Sequence, residues 1–376
     1  MNNDDPPLLA AIRALVGDPQ AHVQTATRRA LGAGFADALA GGEGLILHNG
    51  VCQTVTGEQP FQLVEKICRV LPNGRDPQSW LYWKREALAY ASGYLDQPFQ
   101  GIRPPACYGV AYTDEPAARI FIEAATDAQP DWTPALHEQA AHALGAFTAN
   151  TAGAPDVQRH RWMAKGRTHS WSTLAAPVFD TLDERSDDPV LSRWLAGDLR
   201  RRTADLWRNM APLKEALADL PRCFCHHDAF QRNLLVQQHA SDAPTFVAID
   251  WAFAGPGVIG EELAATFGAP LMFRDIAADD APHMTGLLFD NYAQGLADHG
   301  WTGSPSDARL GFCATTAIMF GLGAFGTWLD LLRNPEFAPV VTGITGLEPD
   351  DFIDNLRDIQ PHFLDLGEEA LSLIGV

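Results

Sequence analysis

His226-His227-Asp228-Ala229-Phe230-Gln231-Arg232-Asn233-Leu234-Leu235-Val236, followed after a polar stretch by Thr245-Phe246-Val247-Ala248-Ile249-Asp250-Trp251, is the part of the chain that decides its fold. Leu234 to Val236 and Thr245 to Ile249 read as two buried strands joined by the polar turn Gln237 to Pro244. Asp228 and Asn233 stand on a short loop before the first strand, and Asp250 ends the second. A hairpin of this kind returns Asp250 to the neighbourhood of Asn233. Three oxygen-bearing side chains in one unit suit phosphoryl transfer. One carboxylate can orient an attacking hydroxyl and accept its proton, while an amide and a second carboxylate can hold Mg²⁺ against a nucleoside triphosphate. Mg²⁺ favours oxygen ligands and shares them with substrate phosphates, so one amide and one carboxylate suffice. Zinc is a poor reading, because Cys225, His226 and His227 are adjacent rather than spaced as ligands.

Taken with Ala254-Gly255-Pro256-Gly257 and Glu262-Leu263-Ala264, the patterns His226-x-Asp228-x4-Asn233 and Ile249-Asp250-Trp251 resemble the large-lobe signature of the aminoglycoside phosphotransferase and choline kinase family. The resemblance implies a bilobal, protein-kinase-like α+β fold, with a small antiparallel-sheet lobe carrying one key helix and a larger, mainly helical lobe. It also implies phosphorylation of a small-molecule hydroxyl with ATP (or GTP) and Mg²⁺. On this resemblance Asp228 is the catalytic base, Asn233 and Asp250 are the metal ligands, and His226 supports the loop by packing and hydrogen bonding. Two positions depart from the pattern: His227 stands where the family usually has Gly, and Glu262 where it usually has Asp. No lysine follows Asp228 by two residues, as in typical Ser/Thr protein kinases, which turns the reading away from protein substrates.

A small lobe requires a second set of residues upstream. Phe61-Gln62-Leu63-Val64-Glu65-Lys66-Ile67-Cys68-Arg69-Val70 reads as a mostly apolar strand with one embedded lysine, in a chain with only four lysines. An ammonium in such a strand is costly unless an anion meets it. Trp80, Trp83, Ala87, Leu88 and Ala91 recur at helical intervals and predict a helix from Pro77 to about Leu95, with Glu86 as the partner of Lys66. By resemblance, Lys66 contacts the α- and β-phosphates and pairs with that glutamate. Ala106 to Tyr112 and Arg119 to Ala125 read as strands. The second resembles the hinge whose backbone holds adenine, at Glu123, Ala124 and Ala125. Asn49-Gly50, between Leu45 to His48 and Val51 to Val55, is a two-residue turn signal and the candidate phosphate-covering turn.

Each feature also has an ordinary structural explanation: Asp228 as a loop cap, Lys66 snorkelling from a strand edge, Glu86 as an exposed helix residue. Their order along most of the chain is what carries the kinase reading. The same order argues against a metal-dependent hydrolase, which leaves Lys66 and Glu86 without a task. Retention of every chemical group argues against a nucleotide-binding pseudokinase regulating a partner.

The domain organisation expected over 376 residues is an N-terminal helical segment (1–41), a nucleotide-binding small lobe (42–125) and a helical large lobe with the catalytic loop and substrate site (126–376). Leu8, Leu9, Ile12 and Leu15 share one face of the first segment. Large-lobe helices are expected at Ala135 to Asn150, Val190 to Ala218, Pro282 to His299, Leu310 to Leu332 and Asp350 to Ile374. Leu310 to Leu329 is uncharged and long enough for a membrane span, but its glycines and threonines fit a buried core helix, and no membrane partner is expected. The start, Met1 to Pro7, is polar and acidic, and the six scattered cysteines fit a reduced cytoplasmic protein.

A formal charge of −20 excludes nucleic acid as a partner. Acidic residues crowd the C-terminal third, from Asp275 to Glu369, and would attract a polyamine such as an aminoglycoside, or simply solubilise the surface. Arg159, His160, Arg161, Lys165, Arg167 and His169 form a basic cluster suited to an anionic substrate or to an exposed helix face. An antibiotic of aminoglycoside or macrolide type is the favoured acceptor, with choline, homoserine or a sugar open; the oligomeric state is open too.

Overall fold

The computed structural model describes residues 5–32, 44–71, 74–113, 117–154, 160–185, 187–237 and 244–376. The small lobe holds strands β1 (His22–Gly32), β2 (Leu45–Thr54), β3 (Gly57–Arg69), β4 (Ile102–Arg103), β5 (Cys107–Tyr112) and β6 (Ala117–Glu123). All but β4 form an antiparallel sheet in the order β1-β2-β3-β6-β5. In β3 the buried residues Phe61, Leu63 and Glu65 alternate with more exposed ones, as a half-buried strand requires. Phe61, Leu63 and Phe121 pack under Leu8, Ala11 and Ile12 of helix α1 (Pro6–Val16). Arg119 latches that helix to the sheet: it donates to Glu65 at 2.6 Å and to both carboxylate oxygens of Asp5, the α1 N-cap, at 2.8 and 2.6 Å. Lys66 follows Glu65 in β3 and therefore faces the opposite side, toward helix α2 (Arg85–Ala91).

Three expectations are corrected here. Residues 22–32 are strand, not helix. As an edge strand β1 has a single neighbour and is largely exposed, so its sequence needs little apolar periodicity. Asn49-Gly50 is not a turn but lies mid-strand in β2, paired with Thr27 and Ala26 on one side and Gln62 and Phe61 on the other. Glycine is required there because the Phe61 ring and the Thr25 carbonyl fill the space a side chain would take. The helix expected from Pro77 begins only at Arg85. The Arg85 guanidinium takes the carbonyls of Pro77, Ser79 and Trp80, which holds them in a turn instead of a helical ladder.

The large lobe contains α3 (Pro134–Thr151), α4 (Arg167–Phe179), α5 (Pro189–Trp194), α6 (Leu199–Arg208) and α7 (Met210–Asp219) before the catalytic unit. That unit comprises β7 (Arg222–Cys225), β8 (Leu234–Gln237), β9 (Thr245–Ala248) and β10 (Gly255–Val258). After it come α8 (Leu263–Met272), α9 (Ala281–Asp298), α10 (Pro305–Arg333), α11 (Ala338–Thr345) and α12 (Pro349–Leu373). Helix α3 starts on the Thr133 hydroxyl, which accepts from Leu136 N, with Pro134 in the first turn. The stretch expected as one helix from Val190 is three, and α4 and α8 escape a periodicity reading because each carries an internal proline, Pro177 and Pro270.

Helix α10 is long and apolar enough to cross a membrane, yet 83% of its most apolar stretch is buried in the protein. Its small residues are contact points: side chains at Gly311, Gly323 and Gly326 would strike the Ile259 carbonyl, the Trp171 ring and the Leu174 carbonyl. Strand β4 pairs in parallel with β9 and ties the small lobe to the catalytic hairpin.

Candidate active site

Strands β8 and β9 pair antiparallel with Leu234 opposite Ala248, and Ile249 N donates to Asn233 O at 2.9 Å. The two strands read from the sequence therefore pair and bring Asp250 beside Asn233, while residues 238–243 of the expected connecting turn lie outside the described residues. The Asn233 amide donates to Asp228 Oδ2 and to Asp228 O, both at 2.9 Å, so its carbonyl oxygen is turned away from these bonds. Asp250 sits in the left-handed region, with φ 63°, a conformation that short polar side chains tolerate best after glycine. This kink swings its carboxylate off the strand line and onto Lys66 Nζ, at 2.7 Å. Lys66 also meets Glu86 Oε2 at 2.6 Å. Burial works against the Lys66 charge, but Asp250 and Glu86 outweigh it and hold the pKa well above its usual value.

Helix α2 grips the Asp250 loop at two points. Glu86 Oε1 accepts from Trp251 N at 3.3 Å, and Arg85 donates to Ala252 O at 3.0 Å. Arg85 is fully buried and gives its remaining hydrogen bonds to the carbonyls of Trp162, Trp80, Ser79 and Pro77.

His226 behaves as a neutral support. Its Nε2 faces Ile249 O at 2.9 Å, and its Nδ1 accepts from Asp228 N at 3.2 Å, so the proton sits on Nε2. Burial lowers its pKa to about 4. His227 has φ 67°, the left-handed region glycine enters freely, which accounts physically for glycine being usual at that position.

Two cavities meet at Asp228 and Asp250. One, about 170 Å³, includes Lys66 and Glu86; the other, about 430 Å³, includes Asn233, Phe230 and Phe273. Trp80 and Phe253 line both and stack at 6.0 Å. Lys66, Asp228, Asn233 and Asp250 thus converge where two chambers join.

A family model described as the phosphotransferase enzyme family (APH) matches residues 61–297, which run from the Lys66 strand past Glu262. The chain belongs to this family. It is a phosphotransferase that acts on hydroxyl acceptors of small molecules and uses a nucleotide. Among solved structures, Plasmodium vivax ethanolamine kinase superposes with TM-score 0.50 at 10% identity, covering 92% of this chain and 83% of that one. The GDP complex of aminoglycoside 2'-phosphotransferase-IIIa gives TM-score 0.50 at 10% identity, with 94% and 98% coverage. An aminoglycoside phosphotransferase from Alicyclobacillus acidocaldarius gives 0.49 at 14% identity, with 90% and 93% coverage. The first two establish the kinase-like fold. No curated protein sequence matches the chain.

Residues of this phosphotransferase that sequence reasoning did not assign complete the site. Arg167, read as part of a basic cluster, is buried and donates to Asp228 Oδ1 at 2.9 Å and to His227 O at 3.2 Å, while its guanidinium lies 3.8 Å from the Phe253 ring centre. Arg161 and Lys165 line a separate depression with Arg222, and Arg159 lies outside the described residues. Glu262 accepts from His226 N at 2.8 Å and from His227 N at 3.2 Å, so the extra methylene relative to Asp still lets the carboxylate hold the catalytic loop. Glu123 at the expected hinge is engaged by Arg103 at 2.7 and 2.8 Å, which makes its carboxylate structural and leaves only backbone for a base.

Of the two readings of the C-terminal acidic residues, the solubilising surface is the one the ion pairs favour. Asp275 pairs with Arg232, Asp350 and Asp354 with Arg193, Asp365 and Glu368 with Arg202, and Glu369 with Arg309. None of these carboxylates is among the described residues lining the two cavities.

Asp228 carries a pH prediction. Burial pushes its carboxyl up to about 6, Arg167 pulls it down and Asp250 pushes it up again. On the reading that Asp228 is the base it must be deprotonated, so kcat/KM is expected to rise with pH through about 6. Arg167→Gln removes the influence that favours the carboxylate, and the acidic limb is expected to move to higher pH. Arg167→Lys, which keeps the charge, is expected to return it toward the original position. A limb that stays in place in Arg167→Gln would show that Arg167 does not tune the base.

Proposed function

We propose that this protein is an ATP- and Mg²⁺-dependent O-phosphotransferase of the cytoplasm, with an antibiotic-type alcohol as acceptor. The observation that carries the reading is the convergence of Lys66, Asp228, Asn233 and Asp250 at the junction of two cavities. Lys66, oriented by Glu86, draws the α- and β-phosphates into the smaller chamber. Backbone groups of Glu123, Ala124 and Ala125 at the end of β6 hold the base. Asn233 and Asp250 fit Mg²⁺: they are hard oxygen donors, few in number, as suits an ion that keeps waters and phosphate oxygens in its shell. When bound, the ion neutralises charge on the transferring phosphoryl group.

Asp228 hydrogen-bonds the acceptor hydroxyl in the larger chamber and takes its proton. Arg167 and Asn233 clamp the two carboxylate oxygens, so the base is aimed before substrate arrives. Six cysteines without a disulfide suit the compartment where ATP is made. The ethanolamine kinase among the fold relatives keeps a metabolite alcohol as the second reading.

The test is transfer from labelled ATP across a panel of antibiotics and small alcohols, with and without Mg²⁺. Lys66→Met is expected to raise the KM for ATP by at least roughly tenfold, the loss of one charge-assisted contact worth about 1.4 kcal/mol or more. Turnover that is indifferent to Mg²⁺ and to Lys66→Met would sink the reading.

A further inference from the structure

We infer that the acceptor of this phosphotransferase is an uncharged alcohol with a largely apolar body, neither a polyamine nor a quaternary amino alcohol. The inference rests on the reading that Asp228 faces the acceptor chamber, and it concerns what that chamber can hold. Its walls come from four places in the fold: Trp80 before α2, Phe230 in the catalytic loop, Phe273 after α8, and Trp328 of α10 with Ile344 of α11. A void of about 430 Å³ walled in this way gains affinity by removing apolar surface from water.

Charge accounting on the same walls disfavours cations. The carboxylates among the described lining residues are Asp228 and Asp250, and each is already paired, with Arg167 and Lys66. An ammonium group entering the chamber finds no free anion, and desolvating it without a partner is costly. Aromatic rings offer a second way to hold a cation, through their faces. Two of those faces are taken: the Arg167 guanidinium lies 3.8 Å from the centre of Phe253, and the Arg232 guanidinium 4.5 Å from that of Phe273. Arg232 also lines the chamber, and its partner Asp275, at 3.1 Å, does not line it, so that ion pair adds no free carboxylate to the wall. Thr327 remains as a polar group that can orient a hydroxyl beside Asp228.

The reaction balances without a further reactant. The acceptor oxygen forms a bond to the γ-phosphorus as the bond from that phosphorus to the bridging oxygen breaks, the hydroxyl proton passes to Asp228, and ADP leaves.

The experiment uses the full chain with labelled ATP and three acceptors: 2-(2-naphthyl)ethanol as the apolar probe, kanamycin as the polyamine and choline as the quaternary amine. Acceptor-free ATP hydrolysis and its loss in Asp228→Asn serve as the control for the kinase reading. The expected result is transfer to the naphthyl alcohol with kcat/KM at least about 100-fold above the other two. Its KM should stay level when ionic strength is raised to about 0.5 M, where interactions between exposed charges are screened. Ile344→Ser, at a half-buried wall position, and Trp328→Ala are each expected to raise that KM about tenfold more than they raise the KM for ATP. Preferred transfer to kanamycin or choline overturns the inference. So does Asp228-dependent ATP hydrolysis without any transfer to, or competition by, the naphthyl alcohol. Failure to bind or hydrolyse ATP at all overturns the kinase reading on which the inference stands.

Discussion

Asp228→Asn is expected to lower phosphoryl transfer by about 10²- to 10⁴-fold, the range a positioned general base supplies, while nucleotide affinity changes by no more than a few fold. The substitution keeps the shape of the side chain. An amide oxygen can still accept from Arg167, and the loop remains held by the His226 ring and by Glu262. What is lost is the group that takes the hydroxyl proton, together with the oxygen that accepts from the Asn233 amide. Lys66 and Glu86 lie on the other side of the junction and are untouched, which is why binding and turnover should separate. Single-turnover transfer measured beside nucleotide titration reads both. A variant that retains most of its rate would mean that Asp228 only positions the acceptor.

Arg85→Met is expected to give the largest loss of stability among these substitutions, about 3 kcal/mol or more. The side chain is fully buried and donates to the carbonyls of Trp162, Trp80, Ala252, Ser79 and Pro77. Each buried acceptor left without a donor costs about 1 to 3 kcal/mol, and the terms do not simply add because the loops relax. Burial, with Arg167 nearby, lowers the Arg85 pKa to about 10, so the group is charged at neutral pH and bonds strongly. Arg85→Lys supplies a point donor that reaches fewer carbonyls and should fall between the two. Urea unfolding gives the free energies. An unchanged midpoint in Arg85→Met would show that water replaces the guanidinium without cost.

The catalytic unit was legible because it is local. His226 to Asp250 spans one loop and two paired strands, and two short apolar runs separated by a polar stretch indicate how such a unit folds back. Lys66 was legible for a different reason: an ammonium inside an apolar strand implies an anion. Glu86, its chosen partner, lies 2.6 Å away although the helix carrying it is shorter than its periodicity suggests. Asn49-Gly50 misled because glycine has two uses. Close packing under Phe61 and a tight turn leave the same mark in a sequence. The edge strand β1 left no mark, since a strand exposed along most of its length needs no apolar pattern.

By itself the sequence determined the kinase-like architecture and singled out Asp228, Asn233, Asp250 and Lys66 as one candidate site, because each is written as a short-range pattern of charge, hydrophobicity and turn residues. The tertiary structure alone decided the rest. Arg85 and Arg167 look like surface cations in sequence, and only packing shows one filling a nest of carbonyls and the other clamping Asp228. The surplus of acidic residues left a cleft for cations and a solubilising surface both open until arginine partners, about 160 positions distant for Arg193 and Arg202, met several of them on the outside. Local rules carry secondary structure and residue chemistry, whereas the partner of a charge and the lining of a cavity depend on contacts between elements far apart in the chain.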